Sequence, residues 1–129
     1  NIDFTCMADG SALSFMSDPD IYSLFGNIMD NAIEASRKIR VQSERVIGVV
    51  IRRSGDMLSV NVYNHYEGEL KMQGGLPVTT KSDAFAHGYG MRSIAMIAGR
   101  YGGDMSVVAK NGIFDLNMLF RTNPQDSAK

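Results

Sequence analysis

Asn27, Asn31, Glu34 and Lys38 recur at helical spacing, so they form one polar stripe on one helix. Asn competes for backbone hydrogen bonds and is a poor helix interior residue, so two in line need a reason. A solvated helix face would show the same stripe. Ile21, Leu24, Phe25, Ile28, Ala32, Ala35 and Ile39 supply an apolar face to the same helix, which turns it toward a core.

A second group of such residues is His87-Gly88-Tyr89-Gly90-Met91, at the start of a second helical pattern. Paired glycines let the backbone approach a bulky anion. The free amides and positive dipole of a helix start favour phosphate. Lys81 stands just before this box and could add a point charge. A plain helix start after a loop would read the same way, and Gly-x-Gly alone is weak. The chain holds no Gly-x-x-x-x-Gly-Lys-Ser/Thr, and no strand leads directly into these glycines, so a phosphate-loop nucleotide site is excluded.

The elements that must position these groups follow from periodicity. Residues 2–7 and 12–16 read as two short strands joined at Asp9-Gly10, a hairpin. Asp18 is expected to cap a helix running from about Pro19 to about Val41, with Pro19 in the first turn and Arg37, Lys38 and Arg40 near its end. Residues 45–53 form a β-branched strand, and 57–64 alternate, with Leu58, Val60 and Val62 on one face. Residues 65–90 lose all period and hold Gly68, Gly74, Gly75, Gly88 and Gly90, the pattern of a mobile lid over a ligand. A second helix spans about Met91 to Tyr101, ended by Gly102-Gly103. Asn111-Gly112 then joins strands at 105–109 and 113–120. Consecutive strands pair as hairpins, which points to an α+β fold: a two-layer sandwich with a mixed, mostly antiparallel sheet and the helices on one face. Residues 1–121 make one domain, and 122–129 a polar tail.

Composition limits the function classes. The chain has 129 residues, 44% apolar and 21% charged, a balance that supports a single core. A net charge of −1 leaves no electrostatic footprint for nucleic acid. Cys6 is the one cysteine, so no disulfide closes within the chain, and with only His65 and His87 beside it a Cys/His metal site is not expected. The opening on Asn1 suggests a domain cut from a longer protein.

Taken in order, an Asn-x-x-x-Asn-Ala helix, a β-hairpin, a glycine-rich segment and a Gly-x-Gly helix start resemble the GHKL ATP-binding domain. That domain, the Bergerat-type fold, is shared by gyrase-type topoisomerases, large heat-shock chaperones, MutL-type repair proteins and sensor histidine kinases. Asn27 to Ala35 and Thr80-Lys81 to Met91 are most similar to histidine kinases of the quorum-sensing receptor kind, whose second box ends in leucine where this chain has Met91. The resemblance covers about residues 18–120.

It implies that Asn31 holds Mg²⁺ against the triphosphate, with Asn27 and Asn31 as the catalytic pair. ATP-hydrolysing relatives place a Glu at the position of Asn27, and an amide cannot activate water. That suits a phosphoryl donor. Glu34, Lys38, Lys81, His87, Gly88, Tyr89, Gly90 and Met91 become candidate cofactor contacts. Asn64 stands where most relatives carry the Asp that reads the adenine amine. The implied activity is transfer of the ATP γ-phosphoryl to a His on a dimerisation hairpin that is not in this chain, within two-component signalling. By itself the chain would bind ATP and phosphorylate nothing. The implied partners are that hairpin, through which the full-length protein would dimerise, and indirectly a response regulator; nucleic acid is not among them. The implied location is the cytoplasmic part of a membrane-anchored receptor. Two alternatives stay open: a docking module with degenerate ATP binding, and an anti-sigma-type serine kinase of the same superfamily.

Overall fold

The structure, a computed structural model, describes residues 1–69, 72–73, 76–77 and 89–122. Its elements are β1 (Asp3–Ala8), α1 (Asp18–Arg37), β2 (Val46–Ser54), β3 (Met57–His65), the short β4 (Met72–Gln73) and β5 (Leu76–Pro77), α2 (Tyr89–Arg100), β6 (Asp104–Lys110) and β7 (Ile113–Arg121).

Five strands form one sheet in the order β1-β2-β3-β7-β6. The β2–β3 and β6–β7 pairs are antiparallel hairpins, and β3 pairs antiparallel with β7, so the two hairpins lie side by side. Asn111 and Gly112 take φ of 55° and 76°, the left-handed pair that a two-residue hairpin turn requires. The register sets Val60 between Ile51 and Met118, and Val62 between Val49 and Leu116. One sheet face therefore carries a continuous apolar surface. Both helices pack on that face: Leu24 and Ile28 of α1 join Met91, Ile94, Ile97 and Ala98 of α2 in the core. The two-layer sandwich expected from the strand pattern is thus the observed architecture, with the helices on one side.

Three expectations are corrected. Residues 10–13 form a 3₁₀ turn, and β1 pairs in parallel with β2, so there is no N-terminal hairpin. The Asp9 side chain accepts from Ser11 N, which closes that turn locally and directs the chain back across the sheet instead of along β1. Helix α1 is capped by Ser17, whose hydroxyl accepts from Asp20 N, so Asp18 lies inside the first turn. The helix also ends at Arg37, not near Val41. Ile39 is only 1% exposed and turns into the core, while Arg40 N donates to Glu67 Oε1 at 2.9 Å and not to a helical carbonyl. The remaining boundaries lie within about two residues of expectation, the usual scatter at helix and strand ends. Thr122 is tied to the β2–β3 turn through Asp56 O; the rest of the expected tail lies outside the described residues.

The two helices run antiparallel, and their contacts begin at one end. Ser17 N donates to the Tyr101 hydroxyl at 3.0 Å, that hydroxyl donates to Asp20 Oδ2, and Arg100 Nη1 donates to Asp20 Oδ1 at 2.6 Å. The Tyr101 hydroxyl, and after it Ser17 and Arg100, hold the Asp20 carboxyl below the usual carboxylate range. Phe15 packs edge-on against Tyr101 with ring centroids 5.8 Å apart. These contacts fix the start of α1 to the end of α2, and so the approach of the other end.

Candidate functional site

Eleven residues along α1 from Asp20, the helix presents Asn31 to the start of α2. Asn27 and Asn31 are both half-buried on the side that meets α2. A Cβ built on Gly90 would stand 3.3 Å from Asn31 Oδ1, 3.5 Å from Asn31 Nδ2 and 3.8 Å from Asn27 Oδ1. A side chain at position 90 would press on the Asn31 amide, so glycine is what lets the helix start come this close. Asn31 Nδ2 donates to Met91 Sδ at 3.1 Å. Asn27 Nδ2 donates to Ser23 O at 2.8 Å, one turn back on its own helix. That bond orients the Asn27 side chain, whose Oδ1 would lie 3.8 Å from a Cβ at Gly90.

Beside the amides lies a small cavity. It is lined by Ile28, Asn31 and Ala32 of α1, Val62 and Asn64 of β3, Met91 and Ile94 of α2, and Phe114 and Leu116 of β7. Its volume of about 10 Å³ admits about one water. The wall is apolar apart from two amides, Asn31 at one side and Asn64 at the other. Asn64 is 3% exposed, and its Nδ2 donates to His65 O at 3.1 Å. That bond uses one of the two Nδ2 hydrogens, and Oδ1 is the acceptor of the side chain.

The chain beyond Asn64 is tied down at several points. His65 Nδ1 meets Glu44 O at 3.0 Å, and Tyr66 N donates to Gly112 O at 2.9 Å. Glu67 takes two bonds from Arg40, from its backbone N and from its Nε at 3.0 Å. Led by the backbone bond, these contacts lower the Glu67 carboxyl below its ordinary value. The exit from β3 is thus clasped to the turn after α1.

The sequence candidates divide accordingly. The structure brings together Asn27, Asn31, Gly90 and Met91, with Asn64 across the cavity. Glu34 is half-buried and Lys38 is the exposed C-cap of α1, and neither lines the cavity. Tyr89 is the first residue of α2. Lys81, His87, Gly88 and the Tyr89 side chain lie outside the described residues, as does most of the expected lid. Sequence reasoning missed the Arg40–Glu67 clasp and the apolar lining. The lining had a signal: Val62 and Asn64 alternate on the same strand face, so an amide there must stand among core residues. The clasp had none, since its partners are 27 residues apart in sequence.

Among the described residues no group of three or more His, Cys, Asp or Glu could hold a metal ion, and no helix is long and apolar enough to cross a membrane.

The model of the GHKL domain family matches residues 16–121. Among solved structures, the catalytic domain of the histidine kinase ThkA superposes with a TM-score of 0.68 at 18% identity, covering 94% of this chain and 80% of that one. The histidine kinase domain of the blue-light activated kinase from Erythrobacter litoralis EL346 gives 0.66 at 15% identity, covering 98% and 54%. The Acinetobacter baumannii histidine kinase AdeS gives 0.57 at 13%, covering 81% and 47%. This chain thus spans about half the length of the last two. At these identities the likeness is one of fold. No curated protein sequence matches the chain.

Proposed function

Because the chain belongs to the GHKL domain family, we propose that it binds ATP with Mg²⁺ as the catalytic domain of a sensor histidine kinase. The γ-phosphoryl would pass to a His on a dimerisation hairpin outside this chain, and from there to a response regulator. The whole receptor would be a membrane-anchored dimer with this domain in the cytoplasm.

The observation that carries the reading is the approach of Gly90 to the Asn31 and Asn27 amides, so close that a Cβ added there would lie 3.3–3.8 Å from them. It supports a triphosphate held between an amide stripe and a helix start, where free N–H groups meet anionic oxygens. The donor set fits Mg²⁺. That ion keeps several waters, takes phosphate oxygens and needs few protein ligands, so one amide oxygen from Asn31 suffices. When bound, Mg²⁺ supplies charge neutralisation along the triphosphate. Asn64 Oδ1, the acceptor of the apolar cavity, suits the exocyclic amine of adenine. Asn27 cannot take a proton from water, which favours transfer to an acceptor over hydrolysis. Lys81, His87, Gly88, Tyr89 and Met91 stand in sequence where the lid and helix start would meet phosphate, and Glu34 and Lys38 would support the stripe from its far end.

Titration of ATP into the domain, with and without Mg²⁺, tests the reading against Asn31→Ala. We expect Mg²⁺ to tighten ATP binding to the wild type, and Asn31→Ala to lose that gain while staying folded. Equal affinities for the two proteins would remove Asn31 from the metal site. The cavity of about 10 Å³ favours a second reading, a docking module that keeps the fold without the nucleotide. A wild type that binds no ATP at millimolar concentration would establish it over the first.

A further inference from the structure

We propose that Met91 is a positioning residue for Asn31: its thioether fixes which end of the Asn31 amide is offered to the metal. The inference rests on the Mg²⁺–ATP reading above. An asparagine amide has two ends of nearly equal shape, and only the oxygen ligates a cation. The helix backbone does not choose between them, because the terminal rotation is broad and roughly two-fold. The choice is made by what the amide meets.

Asn31 Nδ2 lies 3.1 Å from Met91 Sδ. A thioether sulfur accepts and never donates, so it selects the nitrogen end. Both ends of the amide lie almost equally near the Cβ that Gly90 lacks, 3.3 Å for Oδ1 and 3.5 Å for Nδ2, so Gly90 does not choose between them. A flipped amide would set oxygen against sulfur, two electron-rich atoms with no hydrogen between them. Met91 is 5% exposed, so water competes weakly for the contact. Met91 therefore supplies orientation here beyond apolar filling. It also lines the cavity that Asn64 faces, so the same side chain bounds the base pocket and sets the metal-ligand amide.

Met91→Leu is the discriminating variant, since it nearly conserves volume and removes the acceptor. Two measurements read it. In nucleotide-free protein, the side-chain NH₂ resonances of Asn31, assigned by their loss in Asn31→Ala, should move in Met91→Leu while those of Asn61 on the opposite sheet face stay. In ATP titrations, the ratio of affinities with and without Mg²⁺ should fall about threefold to tenfold, the worth of one modest hydrogen bond, whatever the variant does to Mg²⁺-free affinity. A loss of core packing alone would lower both affinities together and would overturn the positioning role. Unmoved Asn31 resonances, or a Mg²⁺ gain equal to that of the wild type, would also overturn it while leaving ATP binding in place. A wild type with no ATP binding would instead overturn the reading on which it rests, and the NH₂ resonances would still decide the contact.

Discussion

The two ends of the α1–α2 pair are built on opposite principles. At one end Ser17, Asp20, Arg100 and Tyr101 share a charge-assisted network, with Phe15 packed edge-on against the tyrosine. At the other, Asn27 and Asn31 meet a glycine and a thioether across a gap no wider than a methyl group. The first arrangement ties particular atoms of the two helices together. The second brings the helices close while committing little side-chain bulk to the space between them. A ligand site at this end would use both: a rigid end to set the spacing, and an amide-lined end held close to a helix start. The clasp between Arg40 and Glu67 adds a smaller fixed point at the exit of β3.

Filling the sparse end should give the largest effect. Gly90→Val puts branched carbons against the Asn31 amide, where even a Cβ would be 3.3 Å away. Overpacking of this kind costs about 1–3 kcal/mol, and here the strain falls on the Asn31 amide, the proposed metal ligand. We expect Mg²⁺–ATP affinity to fall by about tenfold or more, read by calorimetric titration, with the circular dichroism of the fold retained. Retained affinity would show that the gap at Gly90 is not used.

Much of this contrast was legible in the sequence. The amide stripe at 27, 31 and 34 announced itself by period, and Gly90 by its place at a helix start. The hairpins were legible because strand alternation and Asn111-Gly112 are local signals. The rigid end was not. Asp20 reads locally as a dipole-compatible residue in the first helical turn, while its partners Arg100 and Tyr101 lie 80 and 81 residues on. Nothing local to β1 announces that it pairs in parallel with β2 at a separation of about 43 residues. The cavity lining fell between these cases: alternation puts Asn64 on the core face with Val62, and only the register shows that Leu116 and Phe114 stand beside them. The sulfur contact of Met91 depends on a side-chain approach between helices that no spacing rule encodes.

Cutting the rigid end should act on stability first. Tyr101→Phe keeps the ring against Phe15 and removes the hydroxyl that accepts from Ser17 N and donates to Asp20. The lost bond to Ser17 N should cost about 1 kcal/mol of unfolding free energy, measured by urea denaturation. The Asp20 carboxyl should titrate closer to its ordinary value, seen by NMR. If the two ends act separately, ATP affinity will not change. A parallel fall in affinity would mean that the network transmits its geometry as far as Asn31.

The smallest effect belongs to Glu67. Its carboxyl is lowered below the ordinary value by the Arg40 backbone and side chain, so the folded state favours the ionised form. A depressed folded value means the stabilisation is complete above the unfolded value and is lost as pH falls through the folded one. The contribution should be full at pH 7 and fade below about pH 4, in the carboxylate range. Glu67→Gln keeps an acceptor for Arg40 N and removes the charge, so it isolates the ionic part. The Arg40 side chain is 90% exposed, and water and salt screen its charge, which is why the effect ranks last. Thermal unfolding of the wild type and Glu67→Gln should differ slightly at pH 7 and converge as the pH falls through the lowered folded value. A gap that widened in acid would reverse the sign and show that Glu67 is held protonated in the fold.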